Sequence, residues 1–242
     1  MKSARSNGIP IAFLILCCLA FLSLSYLACN RLNEMAVATG ERDLKTIVID
    51  AGHGGEDGGA TGKSKLPEKD INLAIAKDLQ QLLTASGYRV VMIRSTDTAV
   101  SDQLKTIRGR KVSDIHNRMK IIEAQGNCVF VSIHQNLFEQ EQYHGAQVFF
   151  SKNNERSKPL AESIQKRIVS LLQKDNERMV KPATSSIYLL WHARVPAVLV
   201  ECGFLSNEQE VQKLNTQKYQ QQMAFAIYSG LADFCSETDN GQ

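Results

Sequence analysis

Short runs rich in β-branched and apolar residues recur along the chain at 46–50 (TIVID), 88–94 (YRVVMIR), 128–133 (CVFVSI), 146–151 (AQVFFS) and 197–201 (AVLVE). Between them lie longer stretches whose apolar residues repeat at steps of three and four, the period of one helix face. In 68–85 these are Ile71, Ile75, Leu79 and Leu82, and Pro67 just ahead suits a first-turn position. The stretch 111–125 carries Ile115, Met119 and Ile122, and 156–174 carries Leu160, Ile164, Ile168 and Leu171, with Pro159 in its first turn. Asn207 followed by Glu210 resembles a capping box opening a short helix, and 216–234 reads as the last helix. Strand and helix in alternation specify an α/β fold: one domain with a mostly parallel twisted sheet flanked by helices. The β-branched runs suit strands covered on both faces.

The N-terminus breaks this pattern. Residues 9–28 carry no charge, about the length a helix needs to cross the hydrocarbon core. Lys2 and Arg5 precede the run, so the positive-inside bias keeps 1–8 in the cytoplasm and sends the rest across. The run exceeds the usual apolar core of a cleaved signal peptide, which favours a retained transmembrane anchor over a signal segment. Residues 29–44 then read as a linker, 45–236 as the folded domain and 237–242 as a tail. Of the net charge of +3, two units come from Lys2 and Arg5, so the domain is close to neutral. It lacks the basic footprint that nucleic acid requires. Cys128, Cys202 and Cys235 form no C-x-x-C pair and read as small core residues.

Three segments follow or end predicted strands: Asp50-Ala51-Gly52-His53-Gly54-Gly55, Ser132-Ile133-His134-Gln135-Asn136 and Glu201-Cys202-Gly203-Phe204. In open α/β sheets, ligands gather at the carboxyl edge of the strands. A catalytic zinc takes three protein ligands and keeps a fourth position open. His53 and His134 offer imidazoles, and Glu68 opens the helix after the glycine loop, which can fold back on itself. Glu201 is a second carboxylate, suited to taking a proton from water and passing it to a leaving nitrogen. Two histidines beside a glycine-rich loop favour a metal over structural hydrogen bonding. On periodicity alone, however, Glu68 reads as a helix N-terminal acid favoured by the macrodipole. The loop lacks the Lys-Ser/Thr of a phosphate cradle.

At these positions, GHGGEDGGATG (52–62), EKDINLAIA (68–76), SIHQN (132–136) and VLVECGFLSN (198–207) resemble the zinc-dependent N-acetylmuramoyl-L-alanine amidases. The resemblance runs from about Thr46 to Phe234, with four motifs in order. It implies His53, Glu68 and His134 as ligands of one zinc ion per chain, and Glu201 as the catalytic carboxylate. The implied reaction hydrolyses the amide between the lactyl group of N-acetylmuramic acid and the L-alanine of the peptide stem. Peptidoglycan is then the substrate, reached outside the cytoplasm, with the membrane holding the N-terminal segment. Ala51 stands where proline is common, and Gln135 where a small or apolar residue is common. Nothing in the motifs specifies a protein activator.

The layout is similar to the small germination-specific amidases of spore formers, which add no wall-binding repeats, and this implies a role in spore cortex. Asp50 is placed to buttress a ligand imidazole, Asn136 to orient a ligand or the substrate, and His192, after Trp191, to face substrate or to pack. His116 and His144 read as structural, and Arg108, Arg110 and Lys111 as a solvated basic run. A zinc carboxypeptidase acting on stem peptides and a non-catalytic wall-binding protein are the competing functions. The second would lack a ligand or the glutamate, and all four are present.

Overall fold

A computed structural model describes residues 20, 21, 23–27, 45–62 and 67–239, the side chains of 237–239 excepted. The chain divides into two units, Met1–Leu44 and Lys45–Gln242. In the first, residues 20, 21 and 23–27 are helical. The remainder of the expected anchor at 9–28, with 1–8, the linker at 29–44 and residues 240–242, lies outside the described residues. Among the described residues no helix is long and apolar enough to cross a membrane.

The second unit runs β1 (Thr46–Ala51), α1 (Glu68–Ala85), β2 (Arg89–Met92), α2 (Ile107–Glu123), β3 (Cys128–Asn136), β4 (Gln147–Phe150), α3 (Ser157–Leu171), β5 (Lys181–Pro182), α4 (Tyr188–His192), β6 (Ala197–Phe204), α5 (Glu208–Leu214) and α6 (Gln217–Asp239). The strands form a six-stranded sheet in the order β2-β1-β3-β6-β4-β5. The pairings β2–β1, β1–β3 and β3–β6 are parallel. β4 runs antiparallel to β6, and β5 follows β4, so the sheet is mixed at one side. β5 and α4 escape a reading by periodicity because two and five residues are too few to show a period.

Alternate strand residues feed two cores, as the two-residue side-chain period requires. Ile47, Ile49, Val131, Ile133, Val198, Val200 and Cys202 pack against Ile71, Ile75 and Leu79 of α1, Ile164 of α3 and Ile227 of α6. On the opposite face Val48, Phe130, Ala197 and Leu199 pack against Met119 and Ile122 of α2 and Leu189 and Leu190 of α4. Each Val, Leu, Ile, Phe or Met side chain among these contributes roughly 1.5–3 kcal/mol by leaving water. Cys128, Cys202 and Cys235 are buried in these cores. Thr106 caps α2 by accepting from the Gly109 amide, and Asn207 caps α5 by accepting from Glu210 N.

β3 and β6 run three residues further than their apolar runs suggest, so His134 and Asn136 lie within β3 and Glu201 lies inside β6 instead of ending it. His134 pairs in register with Glu201, and a bulge then brings Asn136 opposite Phe204. Strand parity puts Asp50, Ser132, His134 and Glu201 on the α2/α4 face of the sheet.

Candidate metal centre and catalytic carboxylate

The chain leaves β1 through Gly52, whose amide still donates to Ile133 O at 3.0 Å. A Cβ at Gly52 would lie 2.2 Å from the ring of His134, so a side chain here and that imidazole cannot coexist. His53 then takes a left-handed backbone, φ +63°, unusual for a residue with a Cβ. A turn follows, closed by Gly54 N donating to Asp57 O at 2.9 Å and Asp57 N to Gly54 O at 3.2 Å. Arginines hold its carbonyls: Arg118 Nη2 donates to His53 O at 2.7 Å, Arg94 Nη2 to Gly52 O at 3.0 Å and Arg94 Nε to Ala51 O at 2.7 Å. Such over-determination is what keeps an unfavourable φ in place.

The loop returns Glu68, the first residue of α1, beneath the two imidazoles with 3% of its surface exposed. Its Oε1 accepts from Gln135 N at 3.0 Å and Asn72 Nδ2 at 3.2 Å, and lies 2.9 Å from His134 Nδ1. Its Oε2 accepts from Ala60 N at 2.9 Å and lies 3.2 Å from His53 Nε2. The ligand atoms offered by His53, Glu68 and His134 all fall within 4.8 Å of one another. Two imidazoles and one carboxylate converging in this way can hold a metal ion. The donor set suits a catalytic zinc, which in such sites keeps a position open.

Charge tuning follows from this crowding. Burial disfavours a charged His53, but hydrogen bonds to Asp57 and Glu68 outweigh it and push the imidazole up to about 9. Burial opposes ionisation of Glu68 too, yet His134 and His53 hold its carboxyl well below the usual range. Glu201 goes the other way: burial pushes it up to about 7, with His134 pulling down and Glu68 pushing up. Although Glu201 as a residue is partly exposed, its Oε2 is shut from solvent and has no hydrogen-bond partner. A buried carboxylate oxygen without a donor is costly, and such atoms call for an explanation such as a catalytic role.

Asp50 supports the histidines indirectly. Its carboxylate accepts from Ser132 Oγ at 2.7 Å and from Arg118 Nη1, and no hydrogen bond joins it to an imidazole. Arg118 carries its influence to the His53 backbone, and burial of Asp50 is outweighed by that guanidinium together with His134 and Ser132, which holds the carboxyl below its ordinary range. The carboxylate on the His53 ring is Asp57, whose Oδ2 is 2.8 Å from Nδ1. Sequence reasoning assigned Asp57 no role; the signal was its place four residues after a ligand histidine inside a turn. Asn136 contributes its backbone carbonyl to Leu205 N at 2.7 Å. His192 is exposed and packs on Tyr188 with ring centroids 4.3 Å apart, while Tyr188 also meets His116 at 5.2 Å. A cleft of about 460 Å³ opens beside the histidines, lined by Asp57, Ile107, Lys111, Ile115 and Leu189 among others; His192 is outside it.

The chain is similar to known proteins. The family profile described as N-acetylmuramoyl-L-alanine amidase matches residues 47–233. The germination-specific N-acetylmuramoyl-L-alanine amidase of Bacillus subtilis is 34% identical over 194 residues, covering 80% of this chain and 81% of that protein. The CwlD amidase of Clostridioides difficile, solved in complex with the GerS lipoprotein, superposes with a TM-score of 0.77 at 45% identity, covering 79% of this chain and 98% of that one. The catalytic domain of the amidase CwlV from Bacillus (Paenibacillus) polymyxa gives a TM-score of 0.69 at 29% identity, covering 80% and 99%. With the match spanning most of the folded unit, the chain belongs to the N-acetylmuramoyl-L-alanine amidase family.

Proposed function

We propose that this chain is a zinc-dependent N-acetylmuramoyl-L-alanine amidase that removes peptide stems from peptidoglycan, with His53, Glu68 and His134 holding one zinc ion and Glu201 as the catalytic carboxylate. The observation that carries the reading is the convergence of those three ligand groups beside a carboxylate oxygen that is buried and has no partner. Bound zinc supplies Lewis-acid polarisation of the scissile carbonyl and acidifies water. Glu201, in register with His134 on the neighbouring strand, accepts the proton of the attacking water and returns it to the departing L-alanine nitrogen. Its raised pKa, about 7, suits both halves of that exchange. Asp57 fixes the His53 ring so that Nε2 faces the metal position, and Asn72 with the Gln135 amide orients Glu68. On sequence grounds alone, Asn136 is proposed to orient a ligand or the substrate, and His192 to face substrate or to pack.

The domain at 45–236 is proposed to work outside the cytoplasm, tethered by 29–44 to an anchor at 9–28 that follows Lys2 and Arg5. Action on spore cortex, and a lipoprotein partner, are supported by the Bacillus subtilis relative's description and by the CwlD–GerS complex. The test is digestion of peptidoglycan by the full-length, metal-quantified protein, with Glu201→Gln alongside and products identified by mass spectrometry. Stem peptides with free L-alanine amino ends, absent with the variant, are expected. Release of D-alanine from intact stems would identify a carboxypeptidase instead.

A further inference from the structure

Four cations around the proposed centre are ion-paired, and a fifth, Arg94, is buried with its N–H groups taken up by backbone carbonyls. Lys69 pairs with Asp97, Arg110 with Glu56, Lys111 with Asp57, and Arg118 with Asp50 and Asp114. Arg94 spends its N–H groups on the carbonyls of Ala51, Gly52, Thr96 and Lys69. Arg178 differs. Its guanidinium lies over the ring of Phe204 at 4.5 Å and near that of Tyr143 at 5.8 Å. Nε donates to His144 O at 2.8 Å and Nη1 to Gln147 Oε1 at 3.1 Å. Among the described residues no ion pair joins it to a carboxylate, although Asp175 and Glu177 line the same depression. Its partners are neutral, so the charge is held in place but not answered.

Its position gives that charge a use. His134, Glu201 and Gln147 stand in register on β3, β6 and β4, one row on one face of the sheet. Neighbouring strands are about 4.8 Å apart, which puts Gln147 roughly 10 Å from His134 along the row. Gln147 also donates to Met179 O at 2.6 Å, which ties the residue after Arg178 to the row. Arg178 therefore sits beyond Glu201, on the side away from the His53 loop. Stacking on aromatic faces and two fixed N–H bonds pre-organise a guanidinium for a planar anion.

We propose that Arg178 is a specificity-determining residue that binds a carboxylate of the peptide stem while the stem's first amide lies between His134 and Glu201. This rests on the amidase reading and names the part of the substrate that the far side of the site recognises. A chain leaving the scissile amide in that direction crosses above the buried Gln147 and brings an acidic side group within reach of the remaining N–H groups.

The experiment compares the N-acetylmuramoyl-L-alanyl-D-glutamic acid γ-methylamide, whose stem keeps only the α-carboxylate, with the same ligand carrying a primary amide at that carbon. Binding to the full-length protein in detergent is followed by NMR titration and hydrolysis by KM and kcat, for wild type, Arg178→Gln and Arg178→Lys. Wild type is expected to favour the carboxylate form by about 10–100-fold, mostly in affinity and KM. Arg178→Gln should abolish the preference, with the loss of affinity falling mainly on the carboxylate ligand. Arg178→Lys, which keeps the stem and the charge, should retain part of it, and it serves if the Gln variant does not fold. Equal binding of both ligands by wild type, or an undiminished preference in the folded variants, overturns the assignment. Failure of the amidase reading is distinguishable: the binding preference would persist with no cleavage of the lactyl amide.

Discussion

Nδ1 of His53 lies 2.8 Å from Oδ2 of Asp57, and the other oxygen of that carboxylate takes Lys111 Nζ at 2.9 Å. A helix α2 side chain thus braces the residue that braces a proposed metal ligand. Asp57→Asn should weaken zinc binding by about 10–100-fold, with little change in melting temperature. A chelator-competition titration measures it; unchanged affinity would remove Asp57 from that role. Protons should move too. Because His53 is pushed up to about 9, its imidazole must lose a proton before it can ligate. Affinity should fall as pH drops below about 9, and binding at pH 7 should release about one proton, read by calorimetry in buffers of different ionisation enthalpy.

Glu201→Gln should keep the metal and lose about 10²–10⁴-fold in kcat. The same variant tests the burial of this carboxyl through stability. Its folded-state pKa, about 7, is above its ordinary value, so the folded protein binds this proton more tightly than the unfolded chain. The resulting stabilisation is fully present below the ordinary carboxylate range and is lost as pH rises through about 7. Metal-stripped wild type should therefore lose up to about 3 kcal/mol relative to Glu201→Gln across that window. Parallel pH profiles of the two would contradict the burial argument.

Glycine positions separate two kinds of constraint. Gly52→Ala puts a methyl group 2.2 Å from the His134 ring and should abolish metal binding. Gly87→Ala meets open space at φ +83° and should cost only the left-handed backbone term, roughly 1–2 kcal/mol, with metal affinity intact. Metal content and thermal melting of the purified variants decide between these outcomes.

Arg118 and Asp50 are 3% and 1% exposed, and their contact has no water to fall back on. Arg118→Ala strands a buried carboxylate and frees the His53 carbonyl, so a loss of about 3–5 kcal/mol is expected together with weakened metal binding. Adding Asp50→Asn should restore part of the stability but none of the affinity. Urea unfolding of the single and double variants provides the measurement, and additive losses would argue that the two side chains do not act as a pair.

Much of this was legible in the chain itself. Runs of β-branched and apolar residues at five of the six strands and period-3.6 patterning in the long helices suffice for the α/β class, and the expected helix over 68–85 matches the structure to the residue. His53, His134 and Glu201 stand out locally because glycines and strand ends flank them. Glu68 did not, since as the first acid of a helix it has an ordinary explanation; only the tertiary return of the loop puts it between two imidazoles. The antiparallel turn of β4 depends on pairing between distant strands, and a strand's own residues do not encode its direction. Asp57, Arg118 and Arg178 stayed silent for the same reason. A polar side chain acquires its meaning from partners that are far away in sequence, whereas an apolar period carries its own. The sequence by itself determined which faces are buried and which residue types could do chemistry; the tertiary structure decided which of them meet, because hydrogen bonds and charges act over a few ångströms of space and not along the chain.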